Sequence, residues 1–185
     1  EQWSVTLRGK EYRFETEAGG FSKREVDFGS RLLIEAFECE LQDDRPMIDI
    51  GCGYGPIGLS IASLHPNRTI HMVDVNARAI DLSKENAQVN GIRNVKVYES
   101  SVFSEVKETD FAAVISNPPI RAGKKVVHEI LEESKKFLGL GGELWIVIQK
   151  KQGAPSAMAK MEEVFGNVEV ILKKKGYYIL KSKKV

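Results

Sequence analysis

Cysteines and long apolar runs are scarce in this sequence. Two cysteines, Cys39 and Cys52, occur in 185 residues, too few for the disulfide framework of a small secreted protein. No apolar run approaches the roughly 20 residues that cross a bilayer. The first residues, EQWSVTLRGKEYRFE, do not contain the apolar core of a signal peptide. We therefore expect a cytoplasmic protein that does not associate with membranes.

The sequence also has almost no excess of charge of either sign, and it has few histidines. The 27 basic and 26 acidic residues give a formal net charge of +1, which by itself does not indicate a nucleic-acid partner. His65, His71 and His128 lie apart, without the spacing of a metal site, so we expect no bound metal. The basic residues nevertheless cluster, either as solvated lysines or as a surface for an anionic partner. The clusters are Arg121, Lys124 and Lys125; Lys150 and Lys151; and Lys173, Lys174, Lys175, Lys181, Lys183 and Lys184.

From Pro46 onward, short β-branched runs alternate with helical periodicity, the pattern of parallel strands joined by crossover helices. The predicted strands are MIDI, TIHMVD, VKVYE, FAAVIS, ELWIVIQ, VEVIL and YYILKS. The predicted helices are IGLSIASLH, ARAIDLSKENAQVN, VVHEILEESKKFL and SAMAKMEEVF. Only KKKG separates the last two strands, which is too short for a crossover, so they must be antiparallel. The predicted fold class is α/β, a mostly parallel seven-stranded sheet with an antiparallel C-terminal hairpin.

The first 45 residues predict a hairpin and a helix rather than a second domain. WSVTLRGKEYRFET reads as two strands around a turn at residues 8–10, a Gly19-Gly20 break follows, and GSRLLIEAFE has helical spacing. A chain of 185 residues, 42% of them hydrophobic, buries one core well and two poorly. We therefore predict a single domain over residues 1–185, with the hairpin and helix in 1–45 and a nucleotide-binding core in 46–185.

A glycine-rich loop follows the first predicted core strand. In IDIGCGYGPIG, residues 48–58, a buried strand ends in glycines and runs into a helix, the junction at which open α/β sheets bind nucleotides. Gly51, Gly53 and Gly55 would let the backbone approach a ligand closely. Asp74 ends the next strand, where a carboxylate is placed to accept hydrogen bonds from both ribose hydroxyls of an adenosine.

The same loop matches the dinucleotide fingerprint GxGxxG from Gly53 to Gly58, so a dehydrogenase is an alternative. Asp49 argues against it, because its carboxylate would repel a pyrophosphate and attract the ammonium group of a methionine moiety. We also expect no separate hydride-acceptor domain after the loop. S-adenosylmethionine, which carries an ammonium and a sulfonium but no phosphate, fits these charges better.

The motif Asn117-Pro118-Pro119-Ile120 follows the predicted strand FAAVIS. Together with DIGCGYG and Asp74, in this order and at these spacings, it resembles class I S-adenosylmethionine-dependent methyltransferases that modify exocyclic amino groups or amide nitrogens. Such a nitrogen attacks poorly because its lone pair is delocalised into a ring or a carbonyl. The Asn117 side-chain oxygen and the Pro118 carbonyl can each accept a hydrogen bond from the target amine. Those bonds would aim the lone pair at the methyl group.

The resemblance extends from Gly20 to the end of the chain and narrows to one family. FSKREVDFGSRLL, residues 21–33, and NPPIRAG are similar to the methyltransferase small-domain family, which includes bacterial 16S ribosomal RNA guanine-N2 methyltransferases. WIVIQKKQGAPSA and KKKGYYI resemble its stand-alone members. The resemblance implies a Rossmann-like fold with S-adenosyl-L-methionine as the cofactor. It implies a cofactor site made of Asp49, Gly51, Cys52, Gly53, Gly55, Asp74, Val75, Ser101, Val102 and Asn117.

Two positions depart from the family pattern. Ser101 stands where the family commonly has an aspartate that binds the adenine amino group, and a hydroxyl can still contact adenine. Ile120 stands where many members have an aromatic residue, whose stacking on a flipped base is worth roughly 1–3 kcal/mol. The resemblance assigns catalysis to Asn117, Pro118 and Pro119, and contact with the acceptor to Ile120. Arg121, Lys124 and Lys125 follow directly on the motif, so we expect them to rim the same pocket and bind the acceptor.

The sequence thus predicts an N-directed methyltransferase acting on RNA. The predicted acceptor is the N2 amino group of a guanine in 16S ribosomal RNA, and the predicted partner is that RNA or the small-subunit particle. Two alternatives remain. A protein glutamine-amide methyltransferase would use the same Asn-Pro-Pro geometry on a side-chain amide, and a cofactor-binding module without catalysis would keep the fold.

Overall fold

The N-terminus forms an antiparallel hairpin of its own. The computed structural model describes residues 1–17 and 24–185. Strands β1 (Gln2–Leu7) and β2 (Lys10–Glu15) pair around a turn in which both Arg8 and Gly9 have positive φ. The predicted hairpin is confirmed. The predicted Gly19-Gly20 break and residues 21–23 of the family resemblance lie outside the described residues.

The remaining strands form one seven-stranded sheet in the order β5-β4-β3-β6-β7-β9-β8. β3 to β7 pair in parallel, and β9 is antiparallel to both of its neighbours. The predicted mostly parallel sheet with an antiparallel C-terminal hairpin is therefore confirmed. The strands are β3 (Met47–Ile50), β4 (Ile70–Asp74), β5 (Val95–Glu99), β6 (Phe111–Ser116), β7 (Leu138–Gln149), β8 (Glu169–Lys174) and β9 (Tyr177–Lys183).

Helices cover both faces of this sheet and define two hydrophobic cores. Side chains of α1, α2 and α3 pack on one face together with the hairpin, and those of α4 and α5 pack on the other. Strand β3 contributes side chains to both cores because successive side chains point to opposite faces of the sheet. Met47 packs in the first core and Ile48 in the second. The helices are α1 (Phe28–Ala36), α2 (Pro56–Leu64), α3 (Ala77–Val89), α4 (Gly123–Phe137) and α5 (Ala154–Phe165).

Strand β7 differs most from the sequence prediction. It begins at Leu138, directly after α4, whereas the sequence pattern predicted a start at Glu143. The intervening LGLGG lacks β-branched residues, but its backbone is paired with the end of the chain: Gly141 N donates to Lys184 O at 2.7 Å and Lys184 N donates to Gly142 O at 2.9 Å. Because these partners are distant in sequence, local composition does not indicate them.

Asn86 of α3 joins the hairpin to the core. Its Oδ1 accepts a hydrogen bond from Glu15 N at 2.6 Å, and its Nδ2 donates to Glu15 O at 3.1 Å and to Tyr54 O at 2.8 Å. Asn86 is fully buried. The ring of Tyr54 lies 5.4 Å from that of Phe14, centroid to centroid, in an edge contact. One buried amide therefore connects the hairpin, α3 and the glycine loop.

We predict that Asn86→Ala lowers the free energy of unfolding by about 1–3 kcal/mol, because it leaves partly buried backbone groups of Glu15 and Tyr54 without partners. Chemical denaturation measures the change. Asn90→Ala is the matched control: Asn90 makes the same pair of bonds to the Arg13 backbone, at 2.9 and 2.8 Å, but these two bonds are exposed to solvent and water can replace them. Equal losses for the two variants would contradict the role assigned to Asn86.

Candidate active site

The carboxyl ends of three parallel strands meet at the candidate site. Ile50 at the end of β3 pairs with Val73 of β4 and with Ser116 of β6. The Ser116 hydroxyl donates to Ile50 O at 2.7 Å, and both Gly51 N and Cys52 N donate to Val73 O at 2.9 Å. The loops after β3, β4 and β6 therefore start from fixed positions beside one another.

The glycine loop is held by the carboxylate that ends β4. Asp74 Oδ2 accepts from Gly53 N at 2.9 Å, and its Oδ1 accepts from Asn76 N at 2.9 Å, which fixes the orientation of the carboxylate. Gly55 has φ +110° and immediately precedes α2. A Cβ there would lie 3.1 Å from side-chain atoms of Leu59 and Met72. Glycine is needed at this position for both its conformation and its small size.

A cleft of about 370 Å³ opens beside these loops. Its size is in the range of small-molecule sites. Six residues from the predicted site line it: Gly51, Asp74, Val75, Ser101, Val102 and Pro119, and Arg121 from the predicted acceptor set lies in the same wall. Other predicted residues do not line the cleft, namely Asp49, Cys52, Gly53, Gly55, Asn117, Pro118, Lys124 and Lys125.

Three cleft residues have features suited to an aromatic ring with polar edges. Val75 is 68% exposed although it is apolar. Val102 has φ +53°, a conformation that costs energy for a β-branched residue and is concentrated at functional sites. Ser101 is exposed and its backbone N donates to Ser104 Oγ at 3.0 Å. Its hydroxyl thus stands at the rim of the cleft.

Asp49 is buried behind the glycine loop. Its Oδ2 accepts from Gly58 N at 3.0 Å, whereas Oδ1 has no hydrogen-bond partner among the described residues. Burial raises the pKa of Asp49 to about 7, the Gly58 bond lowers it, and the charge of Asp74 adds to the rise. An unpartnered carboxylate oxygen needs a donor, so the site fits the ammonium group of a methionine moiety.

The Cys52 side chain faces the interior rather than the cleft. Its Sγ lies 3.5 Å from Ser83 Oγ, and Ser83 Oγ donates to Gly53 O at 2.7 Å. Burial raises the pKa of the Cys52 thiol, which makes the thiol unreactive. Any contact between Cys52 and a bound cofactor would therefore come from its backbone.

Asn117 is held by the start of α1, a connection that sequence patterns did not reveal. Its Nδ2 donates to Asp27 Oδ2 at 3.2 Å and to Ser30 Oγ at 2.9 Å. Asp27 is also the N-cap of α1 and accepts from Ser30 N at 3.1 Å. Both amide hydrogens of Asn117 are occupied, so Oδ1 is left to accept a further hydrogen bond. In the sequence, the spacing D-x-x-S of Asp27 and Ser30 indicates the start of a helix, but it does not indicate the bonds to Asn117.

The predicted acceptor residues follow Pro119 on a turn and on the first residues of α4. Pro119 O accepts from Ala122 N at 3.0 Å, which closes the turn. Arg121, Lys124 and Lys125 are exposed. The side chain of Ile120 lies outside the described part of the structure. The turn therefore presents three cations next to the Asn-Pro-Pro motif.

This sheet order, the glycine loop after β3, the acidic residue after β4 and the Asn-Pro-Pro motif after β6 define a class I S-adenosylmethionine-dependent methyltransferase. The chain belongs to the methyltransferase small domain family, whose model matches residues 11–181. It is therefore an S-adenosylmethionine-dependent methyltransferase, as its sequence predicted.

Relatives in sequence and in structure agree with this membership. The uncharacterized protein YbxB of Bacillus subtilis is 61% identical over all of this chain and 92% of its own length. The ribosomal RNA small subunit methyltransferase C of Vibrio cholerae is 31% identical over all of this chain, which spans 54% of that relative. The T. thermophilus 16S rRNA N2 G1207 methyltransferase (RsmC), solved with AdoMet and guanosine, superimposes with a TM-score of 0.85 at 24% identity, covering 100% of this chain and 50% of that one.

Within residues 1–17 and 24–185, no group of three or more His, Cys, Asp or Glu side chains is suited to a metal ion. In the same ranges, no helix is both long and apolar enough to span a membrane.

The buried Asp49 predicts a pH-dependent stability. Its folded pKa of about 7 exceeds its ordinary 3.8, so the folded chain keeps a proton that the unfolded chain releases, and stability falls as pH rises between those values. We predict that wild type loses on the order of 4 kcal/mol relative to Asp49→Asn over this window. Denaturant unfolding of both proteins at several pH values measures the difference. Asp81→Asn, at an exposed position, is the control, and parallel pH curves for wild type and Asp49→Asn would contradict the prediction.

Proposed function

We propose that this methyltransferase modifies the exocyclic N2 amino group of a guanine in 16S ribosomal RNA. The observation that carries the proposal is the Asn117 amide, whose two hydrogens are held by Asp27 and Ser30 while Oδ1 remains an acceptor. The names of the Vibrio cholerae relative and of the T. thermophilus structure, which contains guanosine, support this acceptor. The chain spans about half the length of both proteins.

The cofactor would occupy the cleft formed by the three loops. Asp74 would accept hydrogen bonds from the ribose hydroxyls, and Asp49 Oδ1 would receive the ammonium group. Val75, Ser101 and Val102 would contact the adenine, and Gly51 would allow close approach of the backbone. S-adenosyl-L-methionine would supply the methyl group from its sulfonium and leave as S-adenosyl-L-homocysteine, and the proton lost by the methylated amine would pass to water.

In the proposed mechanism, Asn117 Oδ1 and the Pro118 carbonyl accept hydrogen bonds from the target amine. These bonds localise the nitrogen lone pair and orient it toward the cleft, so catalysis depends on alignment. Asp27 and Ser30 are positioning residues, because they prevent the Asn117 amide from turning its NH₂ group toward the amine. Pro119 forms part of the cleft wall and keeps the acceptor close to the cofactor.

The cations on the turn after Pro119 would hold the RNA near this site. Arg121 lies in the cleft wall, and Lys124 and Lys125 extend from the start of α4. Phosphate contacts position an RNA without reading its sequence. The partner would be ribosomal RNA, free or in the small-subunit particle.

A methyl-transfer assay tests the acceptor directly. With radiolabelled S-adenosyl-L-methionine, we expect wild type to label 16S RNA in undermethylated small subunits, with the label recovered as N2-methylguanine after nuclease digestion. Release-factor protein serves as the competing substrate. Labelled glutamine in that protein, with unlabelled RNA, would replace the proposed function by the amide alternative, and no transfer to either would favour the cofactor-binding module.

We predict that Asn117→Ala lowers the rate of methyl transfer by roughly 10²–10³-fold, because one of two groups that align the amine is lost. Binding of S-adenosyl-L-methionine, measured by calorimetry, should change little. Asn90→Ala is the matched control, since the same truncation at Asn90 lies far from the cleft. Wild-type turnover in Asn117→Ala would show that the Asn-Pro-Pro turn has only a structural role.

A further inference from the structure

A second cleft, of about 490 Å³, lies at the carboxyl end of β7, on the side of the sheet at which β3, β4 and β6 also end. Its walls are the end of β7 and the turn between β8 and β9, joined by a hydrogen bond from Lys150 N to Gly176 O at 2.8 Å. We call it the basic cleft. It is lined by Gln149, Lys150, Lys151, Pro155, Lys175 and Gly176.

The basic cleft carries positive charge that the protein does not neutralise. Lys150, Lys151 and Lys175 are exposed. Among the described residues, the ion pairs closer than 4 Å involve none of these three ammonium groups. Gln149 Oε1 is buried with no partner in that part of the chain, so a hydrogen-bond donor of a ligand would satisfy it. Such a cleft suits an anion that also carries hydroxyl groups.

An aromatic pair lies between the basic cleft and Asn117. The rings of Phe28 and Tyr177 are 5.4 Å apart, centroid to centroid, and both are half-buried. The ammonium of Lys175 lies 4.9 Å from the centroid of Phe28. A Cβ on Gly29 would be 2.9 Å from Tyr177 Cε1 and 3.5 Å from Asn117 Nδ2, so the ring and the catalytic amide approach the same point. The surface from Asn117 to Lys150 is therefore continuous.

We propose that the aromatic pair and the basic cleft form a binding surface for a single-stranded RNA segment that flanks the methylated nucleotide. Aromatic rings beside unpaired lysines are the combination that binds single strands, through base stacking and phosphate contacts. The pair also supplies, from α1 and β9, aromatic surface near the acceptor, where the fourth residue of the Asn-Pro-Pro motif is Ile120. This inference rests on the proposed RNA acceptor and adds to it the path of the strand.

The phosphate contacts are tested with Lys150→Gln, Lys151→Gln and Lys175→Gln combined. The probe is a fluorescein-labelled single-stranded RNA of about 12 nucleotides with one guanine, whose binding is followed by anisotropy from about 50 to 200 mM salt. Each phosphate contact to a single strand contributes about 0.7 to the steepness of log affinity against log salt. Loss of three contacts should therefore make this plot less steep by about 2 and weaken binding at least about tenfold.

The matched control is Lys84→Gln, Lys96→Gln and Lys107→Gln combined. These three exposed lysines lie on α3, on β5 and in the loop after it, at the other edge of the sheet, and their loss changes the net charge equally. The control should keep the wild-type slope. Calorimetry should show wild-type binding of S-adenosyl-L-methionine in both triple variants.

The aromatic pair is tested separately with Phe28→Leu and Tyr177→Leu, which keep apolar volume but remove the ring. Each should weaken RNA binding by about 5- to 150-fold, the range expected for loss of one base stack, and leave the salt slope unchanged. Phe137→Leu, a half-buried phenylalanine stacked on Phe103 on the other face of the sheet, is the control.

The outcomes separate the surface from the function on which it rests. In one outcome, wild type methylates 16S RNA while the variant with Lys150→Gln, Lys151→Gln and Lys175→Gln keeps the wild-type salt slope and affinity. That result would show that the basic cleft does not bind the RNA, and the proposed function would stand. If wild type neither binds the RNA probe nor methylates 16S RNA, both fail. A lower slope in the triple variant, together with weaker binding in both aromatic variants, supports the surface.

Discussion

The site depends on the in-register parallel pairing of β3 with β4 and β6. Ile50 pairs with Val73 on one side and Ser116 on the other, so the three loops that follow begin at one level. The Val73 carbonyl accepts from two successive amides of the glycine loop. A shift of one residue in β3 would move its side chains to the opposite faces of the sheet. It would also separate the glycine loop from Asp74, so the same register determines both the core and the cleft.

The segment that precedes the nucleotide-binding core also shapes the site. Asp27 caps α1 and at the same time accepts a hydrogen bond from the Asn117 amide, so the helix start and the Asn117 side chain share one carboxylate. The hairpin in turn is fixed to α3 and the glycine loop through Asn86. Asp27 and Ser30, at the start of α1, thus fix the orientation of the Asn117 amide.

Local patterns were sufficient to predict most elements but not the contacts between them. The buried, mostly apolar runs of β3 and β6 and the glycine loop identified the central strands and the loop beside the cleft, because burial on both faces and positive φ angles leave direct marks on composition. The early start of β7, the insertion of β9 beside it, and the link from Asn117 to Asp27 and Ser30 depend on residues far apart in sequence. The aromatic pair of Phe28 and Tyr177 was missed for the same reason. Each ring alone is an ordinary apolar residue.

The cleft beside the glycine loop and the basic cleft differ in the sign of their charge, as the proposed reaction requires. S-adenosyl-L-methionine carries positive charge at its sulfonium and its ammonium. The cleft proposed for it is lined by the carboxylates of Asp74 and Glu129 and by one cation, Arg121, with Asp49 behind it. The RNA is a polyanion, which these carboxylates would repel. A strand that approached over Asp74 and Glu129 would lose affinity, whereas one that approaches over Lys150, Lys151 and Lys175 on one side, or over Arg121, Lys124 and Lys125 on the other, would meet cations. Asn117 lies between the two regions, so only the target amine has to cross from the basic to the acidic side.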